Sequence, residues 1–154
     1  DDLPPVDFEQ IRNAIETSFG QPIEALFTEI DPVPVGAASV AQVHRAVTTD
    51  GRKVAVKVLR PGIRERFARD IETYEWAAAN LEALGGDEAK RLRPALTIAN
   101  FKRWTNRELD LRREAASSSE LAEAMAGTSG YRVPDIDWDR TNGRVMTVEW
   151  VDGV

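Results

Sequence analysis

Residues 36–59, "GAASVAQVHRAVTTDGRKVAVKVL", are the stretch whose reading decides the fold. A run of small residues leads into two segments rich in β-branched side chains, separated by Asp50-Gly51. Asp-Gly between such segments signals a hairpin, because a two-residue turn of matching twist needs φ above zero. The pattern predicts strands over 39–48 and 52–59. Side chains alternate faces along a strand, so Val54, Val56 and Val58 share one side, and Ala55, Lys57 and Leu59 share the other. A lysine therefore stands in the middle of a strand that otherwise reads as core.

Two readings of Lys57 follow from its surroundings. On an edge strand its stem would lie along apolar surface while the ammonium reached water. In a cleft the charge would have to be met by a carboxylate or a ligand phosphate, because an unpaired buried charge is too costly. Candidate partners lie in "NRELDLRREAA", residues 106–116. At 100° per residue, Glu108 falls inside the apolar stripe between Trp104 and Leu111, Glu114 falls at its edge, and Asp110 shares a side with Glu114. Acidic residues beside paired arginines also read as an ordinary solvated helix face. The loop "VGAASVAQ" can be a tight connection of small residues, or a place where backbone amides approach a ligand closely.

Outward from the hairpin, "DFEQIRNAIETSFG" reads as a helix over 7–19, with Asp7 as cap, Phe8, Ile11, Ile15 and Phe19 on one face, and Gly20 as its stop. Pro61 opens a second helix whose stripe is Ile63, Phe67, Ile71, Tyr74, Ala78, Leu81 and Leu84. A third runs from Pro94 to about Gly127, with Phe101, Trp104, Leu111, Ala115, Ala122 and Met125 on its apolar side and room for an internal break. The last segment, "YRVPDIDWDRTNGRVMTVEWV", reads as two strands around Asn142-Gly143. The sum is an α+β fold, a small antiparallel sheet of hairpins with several packed helices.

Composition narrows the function classes. A net charge of −6 and a pI near 4.9 argue against a general nucleic-acid surface. The absence of cysteine excludes a disulfide framework and a cysteine-ligated zinc, and His44, the single histidine, could hold a metal only with carboxylates, so no metal site is assigned. No apolar run approaches the roughly 20 residues that span a bilayer. The chain starts without methionine and stops at "VEWVDGV" after a strand-like run, so both ends are expected to be cut.

In combination, "GAASVAQVHRA", "DGRKVAVKVLRPG" and "ELDLRREA" resemble the N-terminal lobe of protein kinases, and more narrowly the UbiB family of atypical kinase-like proteins linked to ubiquinone and isoprenoid-lipid metabolism. The resemblance runs from about residue 20 to the end and implies a kinase-like lobe over 1–154, with 7–19 as a family-type N-terminal helix. It implies that Lys57 is the nucleotide-binding lysine of the third kinase strand and that Glu114 is its ion-pair partner. Gly36, Ala37, Ala38 and Ser39 match the family's alanine-rich loop, although Gly36 stands where alanine is more usual. Val43 and Ala55 would border the adenine, Val148 falls at the gatekeeper position, and Glu149 to Val151 match the hinge. Glu108 and Asp110 match the family's E-x-D motif, associated with an N-terminal K-x-G-Q segment.

No K-x-G-Q occurs upstream here, and no H-R-D or D-F-G-like segment follows. The resemblance thus implies the nucleotide-binding lobe of an atypical kinase or ATPase that supports isoprenoid-quinone or related lipid metabolism, inactive without its C-terminal lobe. ATP or a related nucleotide with Mg is the implied cofactor, the metal ligands belonging to the absent lobe. The implied partners are the missing N-terminal segment, the C-terminal lobe and, in the full-length protein, membrane lipid or an isoprenoid. The expected setting is a cytoplasmic domain of a membrane-associated protein. A pseudokinase-like scaffold that binds nucleotide or lipid as a switch is the alternative, and an ordinary protein kinase fits the alanine-rich loop less well.

Overall fold

The structure, a computed structural model, describes residues 4–152, the Glu88 side chain apart. The two extremes of the expected lobe, residues 1–3 and 153–154, lie outside the described residues. The chain divides into two compact units, one made of residues up to Pro61 together with Asp110 onward, the other of Gly62–Leu109.

The first unit is built on an antiparallel sheet. Its strands are β1 (Phe27–Ile30), β2 (Gly36–Ala37), β3 (Ala41–Thr48), β4 (Lys53–Leu59) and β5 (Val145–Glu149), in the order β1-β3-β4-β5, with β2 also paired to β3. The alternation expected of β4 is realised: Val54, Val56 and Val58 are buried with almost no exposure, whereas Ala55 and Lys57 are half-buried. The three valines pack into one core with Ala46, Val145, Phe27 and the buried face of α1 (Phe8–Phe19), which contributes Ile11 and Ile15. Burying side chains of this size contributes about 1.5–3 kcal/mol each, so this face sets which way β4 lies. The caps of α1 are those expected, Asp7 accepting the Glu9 N–H at 3.0 Å and Gly20 closing the helix at φ 68°.

Both turns depart from the two-residue form. Between β3 and β4, Gly51 N–H donates to the Thr48 carbonyl, Thr48 N–H donates to the Arg52 carbonyl, and Gly51 alone takes a positive φ, 85°. The loop is therefore three residues with glycine in the left-handed position, the other common hairpin solution. Around Asn142-Gly143, the Asn142 side-chain oxygen accepts the N–H groups of Arg144 and Val145, replacing the backbone turn. The expected strand before it does not form. Ile136 makes one bridge to Val148, and Trp138–Arg140 wind into a 3₁₀ turn.

An ion network that sequence periodicity does not reveal ties that turn to the hairpin. Asp137, whose side chain is 4% exposed, accepts from Arg52 at 2.8 Å and from Arg140 at 2.9 Å. Arg140 also donates to the Leu26 carbonyl and the Thr49 hydroxyl. At the loop tip, hydrogen bonds from Arg52, and then Thr48, hold the Asp50 carboxyl well below the usual carboxylate range.

The second unit contains α2 (Ile63–Leu84), α3 (Gly86–Leu92) and α4 (Pro94–Glu108). Helices α2 and α4 pack together, pinned by Lys102 to Glu75 at 2.9 Å and by Arg64 to the Leu109 carbonyl at 3.0 Å. The α2 stripe is narrower than expected, since Ile71 and Ala78 are buried while Tyr74, Leu81 and Leu84 are exposed. The helix expected from Pro94 to Gly127 is two, because Leu109-Asp110 interrupts it and α5 (Leu111–Ala124) starts anew in the first unit. Asp110 caps α5 by accepting the Arg112 N–H at 3.2 Å.

Two stability predictions follow from the charged groups. Asp137→Ala removes the buried one of the two carboxylates that Arg52 and Arg140 share and should cost about 3 kcal/mol, the low end for breaking a buried pair because Arg52 is half exposed and both arginines keep Asp50; chemical denaturation measures it, and a loss below about 1 kcal/mol would contradict the network's role. A carboxyl whose folded pKa is depressed contributes stability above its unfolded pKa and loses it as pH falls. Wild type should thus exceed Asp50→Asn in melting temperature at neutral pH, and the gap should begin to narrow below about pH 4 and vanish only as the pH approaches the depressed folded value.

Candidate functional site

The register of the sheet lines up one row of residues. Gly36 pairs with Val43, Val43 with Lys57, and Lys57 with Met146. Neighbouring strands are about 4.8 Å apart, so the small-residue loop begins roughly 10 Å from the Lys57 backbone. One step along, Arg45 pairs with Ala55 and Ala55 with Val148. Val43, Ala55, Lys57, Met146 and Val148 therefore share the face opposite the core, and all but Met146 are half-buried. An apolar patch with a lysine at its end is the result.

The partner of Lys57 is Glu114. Its two carboxylate oxygens accept from Nζ at 2.6 and 2.7 Å, across 57 residues of chain. Helix α5 presents it because Leu111 and Ala115 are buried, which places residue 114 at the margin of the inward side. With side chains 30% and 48% exposed, the pair belongs to the class worth about 0–1 kcal/mol. It contributes little to folding, yet it fixes the ammonium at the end of the patch.

The loop is held by backbone bonds. Ala38 N–H donates to the Ala41 carbonyl at 2.9 Å, Val35 N–H to the Val43 carbonyl at 2.8 Å, and Arg60 N–H to the Val40 carbonyl at 2.9 Å. Ala37 pairs with Gln42, and Ser39 lies exposed at the bend. A Cβ placed on Gly36 meets nothing within 4 Å and its φ is not positive, so neither space nor backbone demands glycine there.

At the other end of the patch, Glu149 N–H donates to the Asp135 carbonyl at 2.8 Å and Trp150 N–H to the Lys53 carbonyl at 3.0 Å. The Glu149 side chain accepts from Arg132. Trp150 lies under the Arg45 guanidinium at 4.1 Å, while Val151 is outside the strand and 46% exposed. Of the three expected hinge residues, the first two thus have their N–H groups engaged within the lobe.

Within the first unit the carboxylate on Lys57 is that of Glu114, while Asp110 caps α5. The expectation that Glu108 sits in a continuous apolar stripe is corrected by the break at Leu109-Asp110: Glu108 ends α4 exposed, and Trp104 beside it is 58% exposed. Asp110 lies outside the helix as its cap and does not share a helical side with Glu114. Periodicity missed Met146, whose place opposite Lys57 depends on cross-strand register; its only sequence signal is the two-residue spacing from Val148. Among the described residues no helix is long and apolar enough to cross a membrane.

Comparison with known proteins gives a consistent picture. Residues 1–154 match the ABC1 atypical kinase-like domain. The chain is 42% identical over 154 residues to a probable protein kinase UbiB of Marinobacter nauticus and 35% identical to one of Xylella fastidiosa, covering all of this chain and 28% of each relative's length. A solved structure, that of the Mycobacterium tuberculosis protein Rv3197 in complex with erythromycin, superposes with a TM-score of 0.81 at 29% identity over 98% of this chain and 37% of that one.

Gly36→Ala should leave the melting temperature unchanged or raise it, by up to about 1 kcal/mol in stability, because it removes unfolded-state freedom without a clash. A clear drop measured by calorimetry would mean that the loop needs glycine for a reason other than space.

Proposed function

The chain belongs to the ABC1 atypical kinase-like family, and from that membership we propose that it is the nucleotide-binding lobe of a UbiB-type kinase or ATPase acting in isoprenoid-quinone or related lipid metabolism. The observation that carries this reading is the Lys57–Glu114 pair at the end of a half-buried apolar patch. A valine at position 57 would suit the strand better, and the pair stabilises the fold little. Local rules broken without a gain in stability mark functional positions.

The residues fit a nucleotide. Val43, Ala55 and Val148 offer a flat apolar surface to a base, flanked by the backbone of Glu149 to Val151. Lys57, oriented by Glu114, offers a fixed ammonium to the phosphates, and Gly36, Ala37, Ala38 and Ser39 offer a backbone edge with little side-chain bulk beside it. When bound, the nucleotide with its Mg supplies the phosphoryl group. This lobe's share is to bind, orient and place positive charge, which is how catalysis by positioning and electrostatics operates.

The chain spans 28% of the length of the curated relatives it matches. Metal ligands and a base would come from outside this lobe, as would the lipid or isoprenoid partner and any attachment to a membrane. Glu108, exposed at the end of α4, and Asp110 are proposed to meet a further segment of the same protein.

In the full-length protein, Lys57→Ala should lower MgATP turnover at least about a hundredfold while leaving the melting temperature within a few degrees. Turnover equal to wild type would refute the role of Lys57. Lysine-dependent nucleotide binding without turnover, with or without added lipid, would identify a nucleotide-responsive scaffold instead.

A further inference from the structure

The chain that enters α1 is gripped from behind the sheet. Gln42 is fully buried on the core side of β3 and holds both backbone polar groups of Val6: the Val6 N–H donates to Oε1, and Nε2 donates to the Val6 carbonyl at 3.4 Å. His44, also fully buried, completes the arrangement. A carbonyl only accepts, so Nδ1 is the donor to the Asp31 carbonyl at 2.8 Å, and Nε2 is left to accept from Gln42 at 3.3 Å. The Gln42 amide then has one orientation in which all these bonds are made.

Arg60 connects this strap to the loop on the other side of the strand. It follows β4, three positions after Lys57. Its Nε donates to the Ala38 carbonyl at 2.8 Å, and Nη1 donates to the Pro4 carbonyl at 3.1 Å. The same residue's N–H holds the Val40 carbonyl. A loop of glycine, alanine and serine has almost no side-chain packing with which to hold its own position, so its carbonyls are where an external anchor can act.

We infer that Arg60 is a positioning residue for the phosphate-bearing end of the nucleotide, setting the height of the alanine-rich loop relative to the row Val43–Lys57–Met146 and using residues 4–6 as its second anchor. The inference rests on the nucleotide reading proposed above. Loop and strap then move as one body, and a change at Pro4–Val6 is felt at Ala38 without contact with the ligand. The base end, at Ala55 and Val148, lies beyond this anchor's reach along the strands.

The selectivity of the effect tests it. With full-length protein, calorimetric titration should show Arg60→Ala weakening MgATP about tenfold while adenosine, which lacks phosphates, binds as to wild type. Arg60→Lys, whose donors all radiate from one nitrogen instead of the separated Nε and Nη1 that reach Ala38 and Pro4, should fall between. Gln42→Ala, on the far side of the sheet, should reproduce the selective loss more weakly and add little in the Arg60→Ala background. Unchanged MgATP affinity in Arg60→Ala, or equal weakening of MgATP and adenosine with a lowered melting temperature, would overturn the inference while leaving nucleotide binding intact. Wild-type protein that binds neither ligand would overturn the nucleotide reading itself, and this inference with it.

Discussion

The burial of Val54, Val56 and Val58 against Ile11 and Ile15 is the constraint from which the rest of the first unit follows. Because strand side chains alternate, committing three valines to the core commits Ala55 and Lys57 to the opposite face. A slip of one residue would send the ammonium among Phe27, Ala46 and Val145, where no carboxylate waits, and would expose the valines. Register and side are thus set by the same burial. The pairings to β3 and β5 carry it across the sheet, so that Val43 and Met146 flank Lys57 and Val148 stands beside Ala55.

The two faces of the sheet are stabilised by different physics. The α1 face is largely apolar, and the polar side chains buried on it are met: Gln42 and His44 by Val6 and Asp31, Thr48 and Thr147 by the Arg52 and Arg140 carbonyls. The Lys57 face is half open, and α5, whose Leu111 and Ala115 are buried, is tied to it by Glu114. At the end of the sheet, Asp137, Arg52 and Arg140 join the hairpin loop to the segment before β5, making a charged clasp where neither turn is a regular two-residue hairpin. The most buried and most densely bonded parts therefore lie behind and beside the site, leaving the site face itself half open.

That division suits the proposed role. A lobe that binds by orientation needs a fixed ammonium and a loop held in place, and the structure spends little stability on either: the Lys57–Glu114 pair is partly solvated, and the loop is held by a few carbonyl contacts, among them those made by Arg60. Membership of the ABC1 atypical kinase-like family agrees with this layout, and the 29% identical Mycobacterium tuberculosis neighbour shares the fold over nearly the whole chain.

Local patterning alone made α1, its caps, the β3–β4 hairpin, the face of Lys57 and the α+β class legible, because each depends on residues adjacent in sequence and on a fixed period of side-chain direction. The resemblance of three motifs singled out Glu114. Periodicity alone left Glu108, Asp110 and Glu114 as candidates, and it carried one helical stripe through Leu109-Asp110, where the chain in fact stops, caps and restarts. The three-residue loop, the side-chain turn at Asn142, the Asp137 network, Met146 opposite Lys57 and the Arg60 bridge were decided by tertiary structure. Each joins residues distant in the chain, and which of several chemically equal partners meets is settled only by register and packing.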